Sequence, residues 1–125
     1  MIVSRRIAAG MLLLGIAWAP WPAAADDVHV MESTPAASAV IDGRTSAFFV
    51  RFDKPVDHIR STLDVTQNGK VVEHLTPRLD SAPEVLFARA PTLSPGNYVL
   101  HWAVLTVAGK ETQQGDIPFS VAGQR

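Results

Sequence analysis

The chain has no cysteine. Disulfides therefore contribute nothing to its stability, and thiolate metal sites of the zinc-finger or iron–sulfur kind are excluded. Methionine is scarce. Of Met1, Met11 and Met31, only Met31 lies beyond the first 25 residues, so a thioether-rich Cu(I) site is not available. Long hydrophobic runs are missing as well. The apolar stretch Ile7–Trp18 falls short of the roughly 20 residues that a membrane-spanning helix needs. Basic charge is in deficit. Eleven Lys and Arg include Arg5 and Arg6 near the start, which leaves nine against twelve Asp and Glu in the remainder. No basic stripe suited to a phosphate backbone exists, which argues against nucleic acid as a partner. Hydrolase signatures such as Gly-x-Ser-x-Gly and His-Glu-x-x-His are absent, and the chain reads as a non-enzyme.

What is present at the start is a leader. Arg5-Arg6, the apolar run and the Ala23-x-Ala25 site compose a secretory signal peptide over residues 1–25. The arginine pair leaves general and twin-arginine export both open. Cleavage after Ala25 gives a mature chain from Asp26 to Arg125, with no expected membrane span. Residues 26–121 are expected to form one domain, followed by a short polar tail, 122–125. One small core is all that a hundred residues support, so a two-domain enzyme or a doubly wound nucleotide-binding fold does not fit.

The mature chain reads as a succession of short strands. The pattern predicts them over Val28–Glu32, Ser46–Phe52, Thr62–Thr66, Lys70–Leu75, Glu84–Arg89, Tyr98–Thr106 and Gln114–Val121. Asn68-Gly69 between two β-prone runs is a hairpin signal, because both residues tolerate positive φ. Pro55 stops the second strand, having no N–H for the ladder. Phe48, Val50 and Phe52 share one face, and Tyr98, Leu100, Trp102 and Val104 share another. The fold class is all-β, a seven-stranded Greek-key sandwich or barrel of cupredoxin-like or immunoglobulin-like form.

Chemistry-bearing residues are few. His58 reads as a solvated loop residue, His74 as a surface residue of a hairpin strand, and His101 as an outward strand residue between inward Leu100 and Trp102. His29 stands apart because cleavage makes it the fourth mature residue. The new α-amine, Asp26, Asp27 and His29 are a set of nitrogen and oxygen donors suited to Cu(II) or Ni(II). Trimming one residue further would put His29 at position three. The amine, two backbone amides and the imidazole could then wrap a square-planar Cu(II). A plain strand-edge role for His29 is the competing reading.

Five segments in order resemble the CopC family of periplasmic copper-resistance proteins. The family's opening His-Ala-x-Leu-x-x-Ser-x-Pro-Ala corresponds to Asp27-Val-His-Val-Met-Glu-Ser33-Thr-Pro35-Ala36. Its Phe-x-x-Pro-Val appears as Phe52-Asp-Lys-Pro55-Val56. Its Gly-turn hairpin appears as Leu63-Asp-Val-Thr-Gln-Asn-Gly69-Lys-Val-Val. Leu-x-Pro-Gly-x-Tyr-x-Val-x-Trp appears as Leu93-Ser-Pro95-Gly96-Asn-Tyr98-Val-Leu-His-Trp102. The closing Gly-x-x-x-Phe-x-Val is similar to Gly115-Asp-Ile-Pro-Phe119-Ser-Val121. The resemblance implies a cupredoxin-like Greek-key barrel in the periplasm. It also implies a Cu(II) site built from an N-terminal histidine and an Asp-Gly-His segment. Here those positions carry Asp27 and Ala108-Gly109-Lys110, so the family's ligands are largely substituted. An exposed lysine keeps its proton to about pH 10 and repels a divalent ion. The family geometry places the N-terminus near that loop, where Lys110 is expected to pair with Asp27.

Two readings follow. In one, the protein is a periplasmic copper-homeostasis protein that binds Cu(II) weakly through Asp26, Asp27 and His29. In the other, the metal site is lost and the barrel is an interaction module working with an inner-membrane copper transporter. Either way the chain is expected to be monomeric.

Overall fold

A computed structural model describes residues 27–123. The expected leader over 1–25, the expected ligand Asp26 and the last two residues of the tail lie outside the described residues. Alternation of apolar and polar side chains dictates strands, and strands are what form. They are β1 (Val30–Thr34), β2 (Ala39–Ile41), β3 (Ala47–Phe52), β4 (Thr62–Gln67), β5 (Lys70–Leu75), β6 (Val85–Arg89), β7 (Gly96–Leu105) and β8 (Thr112–Val121). No helix occurs among the described residues.

The strands make two sheets, one ordered β1-β3-β6 and the other β2-β8-β7-β4-β5. All pairings are antiparallel except β2 with β8. This is the expected Greek-key sandwich with one strand more than expected. The extra strand, β2, spans only Ala39–Ile41, too short for its own alternation to show. Its hydrogen bonds go to Phe119–Val121 at the far end of the chain. The first strand also starts later than expected. Val28 leaves the ladder and enters the core at 7% exposure.

The inner faces are the ones that the alternation marks. Phe48, Val50 and Phe52 of β3 meet Leu63 and Val65 of β4 and Tyr98, Leu100, Trp102 and Val104 of β7 in one buried cluster. Phe52 meets Trp102 edge-on, and Phe48 meets Phe119 likewise. Such pairs add about 0.5–1.5 kcal/mol beyond area burial. The Tyr98 hydroxyl donates to the Ser94 carbonyl at 2.7 Å, which ties the Leu93–Gly96 turn to the core. The β4–β5 turn has Asn68 at φ 54° and Gly69 at φ 80°, the backbone that a two-residue hairpin demands.

Trp102 lies opposite Gly115 on β8. A Cβ at Gly115 would fall 2.4 Å from Trp102 Cζ2, so the indole occupies the space that a side chain would take. The glycine is there to admit the ring. At the same end of the sandwich the loops close on each other. Val56 bridges Thr106, Asp57 N–H donates to the Leu105 carbonyl, and Val107 N–H donates to the Pro55 carbonyl.

Candidate functional site

The segment ahead of β1 is a strap fixed from three sides. Val28 N–H donates to the side-chain carbonyl of Gln113 at the start of β8, at 2.8 Å. The Lys54 ammonium donates to the Asp27 carbonyl. His29 and Asp53, just past β3, hold each other through three bonds. His29 N–H donates to Asp53 Oδ1 at 2.9 Å, His29 Nδ1 meets Asp53 Oδ2 at 2.9 Å, and Asp53 N–H donates to the His29 carbonyl at 3.0 Å. The antiparallel pairing of β1 with β3 produces this meeting. It lays the start of one strand beside the end of the other, Val30 opposite Phe52.

The His29 backbone bond, then its side-chain bond, hold the Asp53 carboxyl below its usual range, and the charges of His29 and Lys54 lower it further. The imidazole is open to solvent, with 70% of its side chain exposed. With Nδ1 turned to the carboxylate, Nε2 faces away from it. Metal-binding histidines are commonly oriented this way, one ring nitrogen on a carboxylate and the other on the ion.

The expected donors therefore divide. His29 is positioned, Asp27 lies beside it in the strap, and Asp26 is outside the described residues. Asp53 is the residue that sequence reasoning missed. Its signal was the second position of Phe52-Asp53-Lys54-Pro55, where a strand end and a proline place a carboxylate at the rim. Among the described residues no three His, Asp or Glu side chains stand close enough to enclose an ion by themselves.

The square-planar wrap around His29 requires Nδ1 and the amide nitrogens of Val28 and His29. All three are engaged here, by Asp53 and Gln113. That geometry would require the strap to leave its seat and Val28 to leave the core.

The N-terminal strap is bonded to Gln113 in β8, three residues beyond Lys110. The expected pair between Asp27 and Lys110 does not form among the described residues. Lys54 is the cation at Asp27, and it takes the backbone carbonyl. Lys54 reaches Asp27 because the β1–β3 pairing brings the end of β3 beside the strap.

The other three histidines are placed as follows. His58, expected in solvent, is half-buried, and its Nε2 donates to the carbonyls of Ala82 at 3.1 Å and Val85 at 2.8 Å. It fastens the 55–61 loop to the start of β6. His74 is on the surface and His101 points outward, both as expected. Each has an aspartate partner. His74 Nδ1 lies 2.8 Å from Asp64 Oδ1, and His101 Nδ1 lies 2.6 Å from Asp116 Oδ1.

Comparison with known proteins adds the following. The family model described as the CopC domain matches residues 30–122. CopC from Methylosinus trichosporium OB3b superposes with a TM-score of 0.68 at 24% identity, covering 79% of this chain and 97% of that one. PcoC, a methionine-rich copper resistance protein from Escherichia coli, superposes with a TM-score of 0.62 at 18% identity, covering 75% of this chain and 97% of that one. No curated protein matches the chain.

Proposed function

Because the chain belongs to the CopC family, we propose that it is a non-enzymatic, extracytoplasmic copper-handling protein that takes Cu(II) at its N-terminal strap. The structural neighbours are described as copper-resistance or CopC proteins, which supports copper as the cargo. The observation that carries the reading is the His29–Asp53 clamp, an exposed imidazole with Nδ1 anchored and Nε2 directed outward. His29 Nε2 is the principal donor. The Asp27 carboxylate and the amine and carboxylate of Asp26, freed by the leader's removal, complete the set. This donor set suits Cu(II), which accepts mixed nitrogen and oxygen ligands in tetragonal geometry. One imidazole instead of two makes the site weaker than the one that the family pattern implies.

Titration of the chain beginning at Asp26 with Cu(II), followed through Trp102 fluorescence, tests the reading. One saturable equivalent is expected, and His29→Ala should abolish it. Absence of saturable binding, or binding indifferent to that substitution, would refute the site.

A second reading has its own observation. Ile59 and Val107 are 80% and 70% exposed, on the two loops stitched together at the strap end. Two protruding apolar side chains beside a copper site suit contact with a membrane copper transporter to which the ion is passed. Ile59→Asp with Val107→Asp should leave the Cu(II) titration intact and abolish crosslinking to the transporter in intact cells. Undiminished crosslinking would remove this reading.

A further inference from the structure

The outer face of the five-stranded sheet carries a row that the strap does not use. Register places His74 of β5 opposite Asp64 of β4, Asp64 opposite His101 of β7, and His101 opposite Asp116 of β8. Four adjacent strands thus present imidazole, carboxylate, imidazole and carboxylate in one line. Side chains directly opposite in a sheet share a face, so all four project the same way.

The two inner members are the more sheltered. Asp64 is 19% exposed and His101 29%, against 81% for His74 and 65% for Asp116. As the side chains stand, His74 leans toward Asp64 and His101 leans the other way, toward Asp116. No three donors converge in this arrangement. One ring rotation changes that. Turning His101 from Asp116 to Asp64 sets two imidazoles on either side of one carboxylate.

The spacing permits closure. Neighbouring strands lie about 4.8 Å apart. An ion above Asp64 is therefore about one strand spacing from each histidine backbone, within imidazole reach at a bond length of about 2 Å. In the contact to be opened, His101 with Asp116, the carboxylate is 65% exposed, and water competes for it.

We propose that His74, Asp64 and His101 form a second site, for a divalent transition-metal ion, closed when His101 turns from Asp116 to Asp64. Two imidazoles and a carboxylate select ions such as Zn(II), Co(II) or Cu(II) over Ca(II) or Mg(II), which prefer all-oxygen shells. The site is independent of the strap. It needs neither the α-amine nor His29, and it stands whether or not the strap binds copper.

Co(II) is the probe, because its visible d–d absorption reports coordination directly. The chain beginning at Asp26 is titrated with Co(II) alone, by absorbance and by proton NMR of the histidine rings. The expected result is one equivalent whose paramagnetism broadens the His74 and His101 ring signals together. His74→Gln and His101→Gln should each weaken it at least tenfold. His29→Ala should leave it unchanged. Asp116→Asn should keep it or tighten it, since His101 is then released. These residues are on the surface, and unchanged thermal unfolding of each variant confirms its fold. Co(II) absorption that survives both glutamine variants, that disappears with His29→Ala, or that never develops would overturn the proposal. So would broadening of only one of the two rings.

Discussion

Thr106 is 4% exposed, and its hydroxyl has no hydrogen-bond partner. A buried, unsatisfied hydroxyl costs about 1–3 kcal/mol. Thr106→Val keeps the shape and removes the orphan. It should stabilise the protein by about 1 kcal/mol, a rise in Tm of about 4–8 °C for a domain of this size. A lower Tm would show that the hydroxyl has a partner in solution. Gly115 makes the opposite case. A methyl there collides with the Trp102 ring, and overpacking of this kind costs about 1–3 kcal/mol. Gly115→Ala should lower Tm and shift Trp102 emission, because the indole must move. Unchanged emission would contradict the contact. The glycine stood out in the sequence only as a motif position. That it makes room for Trp102 depends on the β7–β8 register, which is a property of the folded sheet.

At the scale of the element, the strap is the part that the sequence showed least. Most of the strands could be read from alternation alone, and the Asn68-Gly69 turn from its two residues. Those signals are local. The strap depends on Asp53 and Gln113, 24 and 85 positions from the residues they hold, and no local pattern carries such distances. β2 escaped for the same reason, being defined by its partner β8. The strap also makes a pH prediction. Bonds from His29 lower the Asp53 pKa below its unfolded value. Its stabilising contribution is therefore complete above the unfolded value of about 3.9 and is lost only as pH falls through the lower folded value. Between pH 7 and 5 Asp53 should add no pH dependence to stability. The ¹³C carboxyl resonance of Asp53 should titrate below the ordinary aspartate range. A midpoint at or above that range would show that the clamp is open in solution. Asp53→Asn leaves His29 without its carboxylate and should weaken Cu(II) binding about 10-fold or more, the usual cost of losing an orienting partner.

The molecule as a whole is a cysteine-free sandwich whose rigidity rests on one apolar cluster between two sheets. Among the described residues, none of its helices crosses a membrane because it has none. The CopC-domain match spans residues 30–122, which takes in all eight strands. Copper binding at the strap through His29 is the proposal on which the functional reading depends. Its most direct measurement is the Cu(II) electron paramagnetic resonance spectrum of the chain beginning at Asp26, at less than one equivalent. The expected result is an axial signal with nitrogen coupling from one imidazole, and loss of that coupling in His29→Ala. A spectrum identical in the two proteins would contradict it.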